Sequence, residues 1–138
     1  MENCQKSNAV KLRSSSEIEG QLSSTLTKIE NLKVLLTDLK SKSQYTIAKG
    51  VEAQLKPFYI KRDCLQWFLS GDNGAYDAIS LEMVNHAIDS VKSMISQLED
   101  MKELQVQETN WAVVSAIKLQ LSTLYIKQKW LLWLIVSD

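Results

Sequence analysis

One proline, four glycines, two cysteines and a single histidine among 138 residues narrow what this chain can be. So few turn residues cannot punctuate the closely spaced short strands of an all-β protein, and the composition points to an all-α fold. Cys4 and Cys64 lie far apart, giving neither a disulfide framework nor paired metal-ligand spacing, and a reducing compartment is expected. His86 stands alone, which excludes multi-histidine metal sites and any catalytic arrangement that needs a second imidazole. Glu82 and Asp89 share its helical face, but one helix supplies too few ligands to hold a metal, and the group is read as an ordinary surface cluster. Cys64 has charge beside it in Lys61, Arg62 and Asp63 but no histidine to act as base, so it is read as a structural thiol. A glycine-rich phosphate loop, a nucleophile elbow and a Cys-x-x-Cys pair are all missing. The expectation is a protein that is not an enzyme, with no catalytic residue, cofactor or metal.

Long apolar runs are missing too. The longest, Trp130 to Val136, has seven residues, and Lys118, Lys127 and Lys129 interrupt the stretch before it. A membrane-spanning helix needs about 20 mainly apolar residues. The first sixteen residues, MENCQKSNAVKLRSSS, have no apolar centre of the kind a signal peptide uses, so a cytoplasmic location is expected, with signal-independent export left open. Net charge is zero, yet unevenly spread: residues 1–69 carry eleven basic against seven acidic side chains, residues 70–108 two against eight, and residues 109–138 three against one. That asymmetry suits pairing of a basic helix with an acidic one. The lysines are dispersed among acids rather than gathered on one face, so nucleic acid is not favoured as a partner.

The feature present in abundance is helical periodicity. Residues 1–16 are polar and serine-rich and read as a flexible N-terminal arm. From residue 17 to 138 a single helical-bundle domain is expected, with helices near 17–49, 57–69, 75–106 and 110–136. Ile18, Leu22, Thr25, Ile29, Leu32, Leu36 and Leu39 recur at steps of three and four, the spacing of a coiled-coil-like heptad seam. The seam weakens at Ser43 and Thr46, Gly50 disfavours its continuation, and Pro57 is expected to kink the helix or to open a short aromatic one carrying Phe58, Tyr59, Leu65, Trp67, Phe68 and Leu69 as a core plug. SGDNG, residues 70–74, marks a reversal. Leu81, Val84, Ile88, Val91, Ile95 and Leu98 form a second seam, with Met94 and Met101 beside it. A break at residues 105–110 is favoured over one uninterrupted helix, with Thr109 or Asn110 capping the helix after it.

The last stretch, residues 110–136, holds three of the four tryptophans. Val114, Ile117, Leu121, Leu124, Leu131 and Ile135 line one stripe, and the end beyond Trp130 is apolar all round, so it requires protein or lipid about it. Ile126, Trp130, Trp133 and Leu134 are therefore the candidate partner-binding residues. The fold expected is an up-and-down helical bundle of three to four helices. The function expected is a protein–protein interaction module, as adaptor, secretion-type chaperone or structural subunit, pairing through helices in a homo- or hetero-oligomer. The alternative is a peripheral protein that lies on a membrane surface through its C-terminal amphipathic helix.

Overall fold

The computed structural model describes residues 10–70 and 79–137. In order they form β1 (Val10–Leu12), α1 (Ser15–Ser41), α2 (Tyr45–Ser70), α3 (Leu81–Gln107), α4 (Trp111–Trp133) and β2 (Ile135–Ser137). The fold is all-α and of the helical-bundle class, and the chain divides into two compact units. In the first, α1 packs on α2; in the second, α3 packs on α4, and β1 from the start of the chain pairs with β2 at its end.

The first unit is an antiparallel helical hairpin. Ser14 caps α1, its hydroxyl accepting the Glu17 N–H at 3.2 Å, which satisfies one of the donors a helix start leaves unpaired. Along α1 the seam residues Ile18, Thr25, Ile29 and Leu39 are buried, and Leu22, Leu32 and Leu36 half-buried. Leu32 and Leu36 pack on the cluster of Leu39, Ala48 and Val51 next to the turn. Buried polar groups are matched: Thr25 donates its hydroxyl to the Gln21 carbonyl at 2.7 Å, and the buried Lys61 donates to Gln21 Oε1 at 2.8 Å.

Two expectations fail here. The first helix does not run to residue 49; it ends at Ser41. Ser43, at φ 59°, turns the chain left-handed, its N–H bonding the Lys40 carbonyl while the Gln44 N–H returns to Leu39, the paired closure that ends many helices. Nor does Pro57 open a separate aromatic helix, because α2 runs through both Gly50 and Pro57. Ala48, Val51 and Leu55 before the proline and Cys64 and Leu65 after it are all buried along this one helix. At about 1.5–3 kcal/mol for each large side chain withdrawn from water, that burial outweighs the roughly 3 kcal/mol a mid-helix proline costs. Of the expected plug, Leu65 is buried, while Phe58, Tyr59, Trp67, Phe68 and Leu69 are half-buried.

The second unit repeats the design. Ser80 caps α3 by accepting the Met83 N–H at 3.1 Å. Val84, Ile88, Val91 and Ile95 are buried against the α4 stripe of Val114, Ile117, Leu121 and Leu131. The break at residues 105–110 is present: Thr109 takes φ 55°, with its N–H on Val106 and the Asn110 N–H on Gln105. Asn110 sits at the cap position of α4 but makes no side-chain capping bond.

The end of the chain departs from expectation. The fourth helix stops at Trp133 rather than residue 136, and Ile135–Ser137 extends as β2. It pairs antiparallel with β1, Val10 opposite Ser137, Lys11 opposite Val136 and Leu12 opposite Ile135. The expected arm of residues 1–16 thus ends as a strand and the first turn of α1 from Val10 onward; residues 1–9 lie outside the described residues, as does the reversal expected at 70–74 apart from Ser70, which ends α2.

Leu65→Ala is expected to lower unfolding free energy by about 2–5 kcal/mol, the usual cost of emptying a fully buried leucine site. Leu32→Ala, at a half-buried position, is expected to cost distinctly less. Urea melts of the two variants check the order, and equal losses would mean the burial assigned to one of them is wrong.

Candidate interaction surface

The apolar C-terminal tip is built from the bottom of α4. Trp130 and Trp133, three residues apart, meet edge to face with ring centres 5.6 Å apart. Arg13 closes over them. Its guanidinium lies 4.2 Å from the Trp133 ring centre, its Nε donates to the Trp133 carbonyl at 2.7 Å, and its backbone N–H donates to the Leu134 carbonyl at 2.7 Å. One residue thus satisfies two of the carbonyls that a helix end leaves open and covers an aromatic face besides.

Of the four residues expected to bind a partner, the structure brings Trp130 and Trp133 together and leaves little of any of the four on offer. Leu134 is 0% exposed, and Trp130, Trp133 and Ile126 are half-buried. Leu134 is corrected to a core residue: the chain turns into β2 after it, so its side chain is enclosed rather than presented on a frayed helix end. Leu132, between the two tryptophans, is the exposed member of the tip.

Most of the large exposed apolar side chains of this unit lie on the helices instead. Met94, Met101 and Leu104 stand out from α3, and with Gln97 they recur at steps of three and four, a second stripe on the same helix. Beside them an open cleft of about 470 Å³ runs between α3 and α4, lined by Met94, Gln97, Leu98, Met101, Gln120, Thr123 and Leu124. Its polar groups are amides and one hydroxyl, and none of the lining residues is charged. Such a lining offers nothing to polarise a substrate but suits the side chains of another helix. The sequence signal was the pair Met94 and Met101 beside the seam; periodicity alone did not show that they stay exposed once α4 has packed on α3.

The opposite flank of the same hairpin is charged. By helical register Asp89, Asp100 and Glu103 sit about a third of a turn from the Met94–Met101 stripe. Across on α4, Trp111, Lys118, Tyr125 and Lys129 share a face. The two flanks join where the Tyr125 hydroxyl donates to Glu99 Oε2 and Lys102 Nζ stands 3.0 Å from Glu99 Oε1. The tyrosine bond first, and the lysine second, hold the Glu99 carboxyl below its ordinary value of 4.5; the same bond holds the Tyr125 phenol above its ordinary 10.0.

Among the described residues, chemistry-bearing side chains are not gathered. His86, Glu82 and Asp89 are exposed on α3, and among the described residues no group of three or more histidine, cysteine or acidic side chains is placed to hold a metal. Cys64 is buried within the first unit. No described helix is long and apolar enough to cross a membrane.

Arg13→Ala is expected to release the β1–β2 pairing, seen as lost hydrogen-exchange protection at residues 135–137 with α3 and α4 protected as before; unchanged protection would assign the pairing to the strands alone. Because the folded Glu99 carboxyl titrates below its unfolded value, its bond with Tyr125 contributes stability above about pH 4.5, lost as pH falls through the folded midpoint. Tyr125→Phe is expected to raise the Glu99 midpoint in a carboxyl-carbon NMR titration, and an unmoved midpoint would discount the bond.

Set against family models, curated proteins and solved structures, the chain matches none of them.

Proposed function

We propose that this protein is a protein–protein interaction module that works by presenting the uncharged cleft of its α3–α4 hairpin to another helix. The observation that carries this reading is the combination of the exposed Met94, Met101 and Leu104 stripe with the uncharged cleft beside it. Contiguous apolar surface flanked by polar residues on a protein of this size marks a contact site, and methionine adapts to the irregular faces that partner helices bring. Adaptor, secretion-type chaperone and structural subunit are the roles such a module fills, and no chemistry at the cleft adds an enzymatic one.

A second reading rests on a separate feature. Trp111 is 58% exposed and shares its α4 face with Tyr125, Lys118 and Lys129, the aromatic and basic mixture of a helix that lies on a membrane surface. The acids of α3 beside that face work against anionic lipid, which makes this the weaker reading.

Met101→Glu places a charge in the stripe at a position already 50% exposed, so the fold is expected to remain while binding is lost. Affinity capture with the full chain and with this variant, the helical circular dichroism of both being equal, checks it. Equal capture by the two would reject the cleft as the contact surface. Flotation with anionic vesicles that persists in Met101→Glu and is abolished by Trp111→Ser would favour the membrane reading instead.

A further inference from the structure

The occupant of the cleft can be narrowed by the chain's own composition. The stretches outside the described residues, 1–9 (MENCQKSNA), 71–78 (GDNGAYDA) and Asp138, bring too few apolar side chains to fill it. A nucleic acid or an anionic headgroup would meet amides and thioethers with no cationic lining. The fitting partner is an uncharged apolar helix face of matching spacing, and the Met94, Gln97, Met101 and Leu104 stripe is one. Ridge and groove are thus adjacent on one surface, the requirement for a self-complementary interface.

Charge adds direction. On the cleft side of the hairpin the helical register places Glu108 at the turn end and Lys127 toward the far end, near the level of Met94, and both are exposed. Asp89, Asp100 and Glu103 are turned to the other flank, so two copies of α3 can approach without confronting their acids. With the copies antiparallel and a two-fold axis beside Met101, Glu108 of each copy comes to the level of Lys127 of the other, since seven residues at about 1.5 Å separate Met101 from either level. A parallel arrangement places like ends together and loses that match.

We infer that this protein forms an antiparallel two-fold homodimer through the α3–α4 cleft, with Met101 at its centre and reciprocal Glu108–Lys127 pairs at its ends. The inference rests on the reading of the cleft as a contact surface and names its occupant as a second copy of the chain.

Sedimentation velocity of the full-length chain across a concentration series is the test. The expected result is reversible doubling of the 15.7 kDa chain mass. Met101→Glu is expected to weaken the dimer by roughly tenfold or more, since it desolvates a charge at the interface centre. Glu108→Lys and Lys127→Glu are each expected to weaken it about threefold, and an equimolar mixture of the two is expected to regain wild-type affinity as a heterodimer, because only there is every end pair of opposite sign. Recovery on mixing cannot arise from a contact within one chain. A wild-type chain that stays monomeric to about 100 μM overturns the inference, as does a dimer indifferent to all three changes. If the monomeric chain still captures another protein and Met101→Glu abolishes that capture, the contact-surface reading stands and the second copy alone is excluded. If capture is also indifferent to Met101→Glu, both fall.

Discussion

Each of the four helices has one apolar stripe to remove from water, and in both units a neighbouring antiparallel helix removes it. That requirement ranks above local preference throughout. Proline and glycine both stand inside α2, at positions 57 and 50, and neither stops the helix, because burial of residues on both sides of Pro57 exceeds the cost of the broken backbone bond. The turns obey the same hierarchy. Ser43 and Thr109 adopt left-handed conformations that neither side chain prefers, and for the β-branched Thr109 the preference is plainly adverse. Both are held there because turning at that residue lets the next helix lay its stripe on the previous one.

The α4 tip extends the same constraint from side chains to backbone. A helix ending in Trp–Leu–Leu–Trp–Leu has to place large apolar groups and also find donors for its last carbonyls. Arg13 meets both needs from more than a hundred residues away in sequence, stacking on Trp133 while bonding its carbonyl, and β1 then continues the pairing along Ile135–Ser137. The aromatic tip is consequently part of the second unit's own architecture.

The legibility of these features in the sequence depends on how far apart their causes lie. The seams were legible because a helix stripe is written in steps of three and four: Ile18 through Leu39, Leu81 through Leu98 and Val114 through Leu131 line the interiors as read. The turn at Ser43 was legible only as a weakening of the seam, since the glycine that normally announces a left-handed helix end is absent; the turn at Thr109 was legible through the polar stretch that interrupts the seam. The β1–β2 pair was illegible: three-residue strands carry no pattern, and each depends on the other end of the chain. The same long-range dependence hid the burial of Leu134. Apolarity alone nominated Leu134, which is core, whereas the exposed stripe of Met94 and Met101 was visible only as residues beside a seam.

The partition of charge within the second unit gives the exposed stripe its meaning. Acids on α3 and lysines on α4 could have been scattered over both flanks without cost to the hairpin, since surface ion pairs contribute little to stability. Most of them instead lie on one flank, where Glu99 accepts from Tyr125 and pairs with Lys102, and between Glu108 and Lys127 the cleft is lined with amides, methionines, leucines and one threonine. Intrahelical needs do not explain that arrangement, because the buried seam of Val84 through Ile95 is already complete without Met94 or Met101. Water alone would be better faced by polar residues at those positions. On the reading proposed for it, an uncharged stripe beside a finished core is a surface shared with another helix, where charge would have to be desolvated at each encounter.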